Sequence, residues 1–447
     1  MEAARSPQTM PTDARRLAAC VIGAEDTRGL ALEAVSSLEI QLLKRGWPVG
    51  EPLGALLHVQ KVMGLGRPAY REALAILESR GLLSIRRGPG GGLFVSAPAL
   101  EDVVAAMLMY LVVTGADEEC IRDFRTLVWR MVVQTAIERG VRHLPAPAAR
   151  SEWGFAHDLA VKVGNRAMIV AAQLAETLVT VCEGPRTPAY DEVLDDALRA
   201  CDFERACARL DALVDEAALA EPALALEKIE RGLFWSGHKS AMALAARMTR
   251  ELRENRGAAE AEWQTAERFG CTHAGVRQAR RILQDLGIVR CQQGRKGAIW
   301  TTPASPAGVI RLLAPCLLAS GMTTADNAAA AFFLASSAPE LAARRAKARG
   351  AAHVTLLAPL VQGTNLVDLF WAENMMLELG GNPLLTIMVR SLGLANMVGD
   401  PVAPDRATQI KITAFNRQIL HAVECGDVEA AGELARAKGG VLNHLAA

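Results

Sequence analysis

Apolar positions recur at helical spacing over most of the chain, and short alternating runs interrupt them at only two places. Leu30–Arg45 carries apolar residues about one turn apart, which predicts an amphipathic helix, and GWPVGEP behind it reads as a turn. Ala55–Met63 predicts a short second helix, Gly64–Gly66 a tight turn, and Arg67–Arg80 a third helix that Gly81 ends. Leu82–Ile85 and Leu93–Val95 then alternate like short strands, joined by the glycine-rich RRGPGGG. The same order returns downstream, with helices over Ala241–Arg256, Ala261–Phe269 and Thr272–Leu286 and a hairpin around Gln292–Gly297. Thr272 is a good N-cap for its helix; Gly66 is a weaker one, helped by Pro68 in the first turn.

Helix, helix, turn, helix and hairpin is the order of a winged helix-turn-helix, here met twice. Aligned without a gap, Gly64–Gly91 and Gly270–Gly297 lie 206 residues apart and share eight of 28 positions. Those eight are glycines, core aliphatics and Arg71/Arg277, which is the set a shared fold would keep. A second echo links the stretch from Phe155 to Asn165 with the one ending at Asn382, offset 217, and a third links Ala197–Asp202 with Ala422–Asp427, offset 225. The pattern predicts a tandem duplication of a two-part unit.

Behind each winged helix the pattern stays helical, without strand-like alternation, and breaks mainly at Gly, Pro and Asn. Pro145–Arg150, Gly363–Asn365 and Gly399–Asp405 read as loops between helices, and Ala220–Gly237 joins the two halves and ends the first bundle. The expected fold class is mainly α, two winged helix-turn-helix domains alternating with two all-helical bundles. The expected boundaries are a tail over 1–24, a first winged helix over 25–98, a first bundle over 99–222, a second winged helix over 223–303 and a second bundle over 304–447.

Composition narrows the function. At 447 residues, 51% hydrophobic and 22% charged, the chain can bury large cores, and only 4% aromatics favours helices over sandwiches or barrels. Lys+Arg and Asp+Glu are both 49, so any basic face must be local. The nine cysteines are scattered, with no C-x-x-C pair, as expected for free thiols in a reducing cytoplasm. MEAARSPQTMPTDARR lacks the apolar core of a secretory signal. The longest apolar stretch, Val103–Ala116, falls short of the ~18–20 residues a membrane span needs. A cytoplasmic protein without membrane contact is expected.

The local basic faces fall on the winged helices. Gly64–Arg87 holds five arginines against Glu72 and Glu78, and Arg268–Lys296 holds seven Lys and Arg against Asp285 alone. An arginine at the N-terminal end of a third helix can reach base edges in the major groove, where its fork suits guanine O6 and N7. GPGGG lacks the G-x-x-x-x-G-K-[ST] order and lies between strands, so it does not read as a phosphate loop. No hydrolase or metalloprotease motif is present, and Cys271-Thr-His273 sits in the turn before a recognition helix, so no enzyme is expected. Met107, Met109, Met375 and Met376 read as core filling.

Gly64-Leu-Gly-Arg67, Tyr70-Arg71-Glu72-Ala73-Leu74, Leu77…Gly81-Leu82-Leu83 and Gly88–Gly92 resemble the GntR family of bacterial transcriptional regulators, in its FadR-like branch with an all-helical FCD effector domain. The second half resembles it more loosely, with His273 in place of the turn arginine. Leu57 and Trp263 stand where the family has an arginine on the second helix. In the helical parts the resemblance rests on Asp123-x-Arg125, the stretch ending Gly164-Asn165 and the Ala-x-x-x-x-Asp endings.

The resemblance implies a regulator, expected to be a repressor, that binds a double-stranded operator, answers to a small-molecule effector, often a carboxylate, and pairs its two halves as an internal pseudo-dimer. Further homodimerisation stays open. The implied DNA-contact set is Arg67, Tyr70, Arg71, Glu72, Arg86, Arg87 and Gly91 in the first half, and Thr272, His273, Arg277, Gln278, Arg281, Arg295 and Lys296 in the second. The implied effector set is Arg125, Glu152, Asn165, Asp191, Glu373, Asn382 and Asn416. Many FCD domains hold a divalent metal with one Asp and three His. The three His positions fall here on Ala156, Asp191 and Leu213 in one half and on Glu373, Asn416 and Lys438 in the other, and the Asp position on Glu152 and Leu369. No histidine is kept, so no metal and no other cofactor is expected. The competing expectation is an effector sensor or protein-interaction scaffold whose DNA-binding heads have degenerated.

Overall fold

The computed structural model describes residues 30–145, 151, 153–182, 184, 190–215, 219–231, 240–254, 261–291, 299–301, 304–349, 366–396 and 404–446. The expected tail, the hairpin tip at 292–297 and most of the three expected inter-helix loops lie outside these residues.

The protein is mainly helical. In chain order the elements are α1 (Leu30–Lys44), β1 (Pro52–Gly54), α2 (Leu56–Val62), α3 (Arg67–Ser79), β2 (Leu83–Arg86), β3 (Gly92–Val95), α4 (Leu100–Thr114), α5 (Glu118–Glu138), α6 (Gly154–Val163), α7 (Arg166–Val181), α8 (Glu192–Ala200), α9 (Phe203–Asp215) and α10 (Pro222–Glu230). The second half runs α11 (Ser240–Glu254), α12 (Glu262–Phe269), α13 (His273–Asp285), β4 (Val289–Cys291), β5 (Ile299–Thr301), α14 (Ala307–Ala319), α15 (Thr324–Arg349), α16 (Leu366–Gly380), α17 (Pro383–Ala395), α18 (Arg406–Cys425) and α19 (Val428–Ala446). Helix α10 occupies the stretch that the sequence pattern assigned to a junction.

Two compact units form, and each draws on both halves of the chain. The first gathers the described residues of Met1–Thr114 and Leu226–Ala319. In it α1 packs on α3, with Val35, Leu42, Ala73 and Leu77 of the two helices all at most 1% exposed, and α11 packs on α13, where Ala245, Val276 and Ala279 are buried. Strands β2 and β3 pair antiparallel with Leu83 opposite Val95, and β4 and β5 pair with Val289 opposite Thr301. A third strand, β1, adds to the other edge of β3, giving the order β1-β3-β2, where the sequence pattern gave only a turn. Every residue from Val103 to Val112 on α4 is buried, because α11 and α14 cover it. That explains the long apolar stretch as an interior helix.

The second unit holds α5–α9 and α15–α19. Helix α5 packs on α6, α7 and α9, and α15 packs on α16, α17, α18 and α19. The two sets meet where α15 contacts α5 and α7 and where α17 contacts α5. Two buried asparagines mark this seam. Asn165 caps α7 by accepting from the Met168 N–H at 3.0 Å, and its amide donates to the Asp326 carbonyl at the start of α15, 3.1 Å away. Asn382 caps α17 in the same manner, and its amide donates to the Cys120 carbonyl at the start of α5, at 2.9 Å. The exchange is reciprocal. Both asparagines are at most 2% exposed, so each satisfies its amide inside the protein, as burial of a polar group requires.

Candidate functional site

Two exposed helix ends in the first unit carry the bases singled out from sequence. Helix α3 begins after Gly66, whose extended backbone lets the chain turn in, and Pro68 fits the first turn. Ala73, Ile76 and Leu77 face the core, which leaves Arg67, Arg71 and Glu72 outward. Arg67 and Arg71 are four residues apart and share one face. Tyr70 departs from the expected set. It is 5% exposed, its hydroxyl is buried without a hydrogen-bond partner among the described residues, and burial raises its pKa. Tyr70 supports the helix from behind, because position 70 falls on the core side of the α3 turn.

The β2–β3 hairpin adds two more bases. The Arg86 guanidinium lies over the Phe94 ring, 4.1 Å from its centroid, and Arg87 is exposed. Gly91 closes the turn by donating to the Gly88 carbonyl at 2.8 Å. A Cβ there would stand 2.4 Å from the Arg86 carbonyl oxygen, so glycine is needed for the turn rather than for contact with a ligand.

Helix α13 starts at a proper cap: the Thr272 hydroxyl accepts from the Gly275 N–H at 3.1 Å. His273 and Arg277, again four apart, are 60% and 68% exposed at the side chain, and Gln278 is exposed beside them. Arg281 is half-buried, and Arg295 and Lys296 lie outside the described residues. A carboxylate that sequence reading missed stands among these bases. Glu262 Oε1, on α12, lies 3.3 Å from Arg277 Nε and 3.6 Å from His273 Nδ1. Its neighbour Trp263 is 58% exposed, and on α2 Leu57 is 70% exposed. The signal was available, since an acid directly beside the departing Trp263 faces the helix that follows the turn.

The second unit holds the polar groups singled out for an effector, and each of those among the described residues has a partner. Arg125 forks onto Glu176 with Nε and Nη2, both at 3.1 Å, and its guanidinium lies over Trp129 at 4.4 Å. The Trp129 indole N–H donates to the same carboxylate at 3.0 Å. Asp191 caps α8 through the Leu194 N–H and takes Arg209 at 2.9 Å. Glu152 lies outside the described residues. Asn165 and Asn382 are the seam caps described above.

Glu373, Asn416 and Lys438 converge from α16, α18 and α19. The Lys438 ammonium pairs with Glu373 and donates to Asn416 Oδ1 at 2.9 Å. Three of the positions that the resemblance assigns to metal ligands thus meet, but around a buried cation. A resident ammonium repels a divalent ion, and Ala156 and Leu213 in the other half offer no donor, so these residues do not fit a metal. Among the described residues no group of three or more His, Cys, Asp or Glu is placed to hold one.

Near α6, Ser151, His157 and Asp158 also cluster. Ser151 Oγ lies 3.0 Å and Asp158 Oδ1 3.1 Å from the same ring nitrogen, His157 Nδ1, while Nε2 faces Gln173 at 3.4 Å. A proton relay needs the nucleophile and the acid on opposite ring nitrogens. The trio instead ties residue 151 to α6, with Asp158 also accepting from the Ser151 N–H at 2.9 Å.

No protein-family model and no curated protein matches the chain. Among solved structures, one described as "Streptococcus agalactiae GntR" is similar at 20% identity with a TM-score of 0.35, covering 46% of this chain and 99% of that one. No helix among the described residues is long and apolar enough to cross a membrane.

Proposed function

We propose that the chain is a sequence-specific DNA-binding transcriptional regulator. In this reading it is a tandem duplication in which two winged helix-turn-helix heads, within 25–98 and 223–303, alternate with two FCD-like helical domains, and it acts as an internal pseudo-dimer. The observation that carries it is the pair of exposed helix ends: Arg67 and Arg71 on α3, His273 and Arg277 on α13, each on a three-helix-and-hairpin head. Bases spaced i, i+4 at a helix N-terminus suit major-groove and phosphate contact. The reciprocal asparagine caps support the pseudo-dimer, because two copies related by a twofold axis would exchange the same contact in both directions. The two heads differ in sequence, so the operator is an imperfect palindrome. The reading assigns no catalytic activity, places the protein in the cytoplasm, and reserves the helical domains for a small-molecule effector whose binding represses or releases DNA.

The test is a selection of genomic fragments by the purified protein at roughly 0.15 M salt, followed by charge reversal. Enrichment of one asymmetric site is expected, and Arg71→Glu and Arg277→Glu should each weaken binding to it by on the order of 10–100-fold. Unchanged affinity in both variants overturns the reading. It would favour docking of a partner protein, for which Leu57, Trp263 and the Glu262 carboxylate beside Arg277 are the specific observations.

A further inference from the structure

Four charged side chains are buried together in the first unit, away from both exposed helix ends. Arg80, the residue that ends α3, pairs with Glu39 of α1 at 2.5 Å and with Asp285, the last residue of α13, at 3.2 Å. Arg311 of α14 takes the other oxygen of Glu39 at 2.5 Å and reaches Ser36 at 3.2 Å. All four side chains are 6–12% exposed. Gly308 of α14 closes the ring from another direction: a Cβ there would stand 2.3 Å from the Asp285 carbonyl oxygen, so α14 lies directly on the backbone at the end of α13. Contacts thus run from α1 to α3, from α3 to α13, from α13 to α14 and back to α1.

Surface ion pairs form and break freely, whereas Asp285, Arg80, Glu39 and Arg311 form a run of three ion pairs held away from water, and the close seat of Gly308 on the α13 backbone ties the same helices together without charge. The ring joins the C-terminal ends of α3 and α13. Each helix has 13 residues, so each is about 20 Å long, and the two exposed N-terminal ends stand at most roughly 50 Å apart. Half-sites one duplex turn apart, about 34–36 Å, lie within that reach, and half-sites two turns apart do not.

Building on the DNA-binding reading above, we propose that the buried ring of Glu39, Arg80, Asp285 and Arg311 fastens α3 and α13 into one rigid reading surface, and that its partner is duplex DNA with two half-sites at a single fixed spacing of no more than about one turn. Effector control then acts on both heads together and does not change the distance between them.

Two measurements test this. The first does not involve DNA. Nitroxide labels placed at Glu72 and Gln278 by non-cysteine chemistry report the distance between the heads by pulsed spin resonance. One narrow distance is expected for the wild-type protein, broadened in Asp285→Asn and in Gly308→Val. A broad distribution in the wild type overturns the proposal whatever DNA does. The second is a ladder of selected operators with the spacer lengthened in single base pairs. A five-base-pair insertion puts the second half-site on the opposite face and should cost the wild type on the order of 100-fold. Asp285→Asn should flatten the ladder while holding a duplex with one half-site as tightly as wild type does. Equal binding across the ladder by the wild type overturns the fixed spacing. Failure to bind any selected duplex overturns the DNA-binding reading itself, and then a narrow spin-label distance still leaves a rigid pair of heads in need of another partner.

Discussion

Arg125 and Glu176 form a buried pair in the second unit, 2% and 3% exposed, with the Trp129 indole as third member. Removing one charge leaves the other desolvated, so Arg125→Met should cost about 3–5 kcal/mol in denaturant unfolding. Arg125→Met with Glu176→Leu should recover most of that loss, because no ion is then stranded. Asp195 gives a pH-dependent counterpart. Burial opposes its charge, but the Leu144 N–H at 2.7 Å and the Arg199 and His143 side chains outweigh burial and hold its carboxyl below the usual range. A carboxyl lowered on folding contributes stability above its unfolded pKa of about 3.9, and that contribution is lost as pH falls through the folded value. Asp195→Asn should therefore be less stable than wild type at pH 7, and the two stability curves should converge in acid. The exposed bases Arg67, Arg71, His273 and Arg277 were legible in sequence because they sit on a recognisable turn and helix. The Glu176 partner of Arg125, the Arg209 partner of Asp191 and the Glu373 partner of Lys438 were not, since each comes from another helix and no local pattern encodes a contact over that separation.

Helices α1–α3 and α11–α13 fall within a residue or two of their sequence-predicted bounds, because periodicity and caps act locally. Strand β1 escaped detection. Three residues are too few to show alternation, and Pro52 and Gly54 read as turn formers. What makes β1 a strand is long-range: Pro52 lies opposite Phe94, and the Trp47 indole donates to the Ser96 carbonyl at 2.7 Å. Gly92 permits this close pairing, because a Cβ there would stand 2.6 Å from the Gly54 carbonyl oxygen. Gly92→Ala should destabilise the first unit by about 1–3 kcal/mol in thermal or denaturant unfolding, while far-ultraviolet dichroism stays helical. Helices α14 and α15 run through Pro315 and Pro339, although proline was expected to mark breaks. Burial of the surrounding faces outweighs the lost backbone hydrogen bond at each.

At the scale of the whole molecule, the compact units cut across the order of the chain, since each combines segments from both halves. Sequence suggested two similar halves but could not show that segments from both would pack together in each unit. That depends on which apolar faces meet once the helices exist. Either half alone would expose the faces that the other covers, such as the α5 and α7 surfaces against α15 and α17. A chain split within 232–239 and expressed as two pieces should therefore reassemble into a one-to-one complex. Each piece alone should self-associate or aggregate, as size-exclusion chromatography with light scattering would detect.

The ring of buried charges has one more consequence. At the 206-residue offset that aligns the heads, Arg80, Asp285 and Arg311 stand opposite Leu286, Ser79 and Ala105. Two separate identical subunits could not build such a lopsided seam, for symmetry would oblige every change to appear on both sides at once. Covalent joining frees the protein from that obligation. A single codon can alter one side of the seam and leave its twin untouched, so the segments on either side can diverge in sequence while the joint between them is kept.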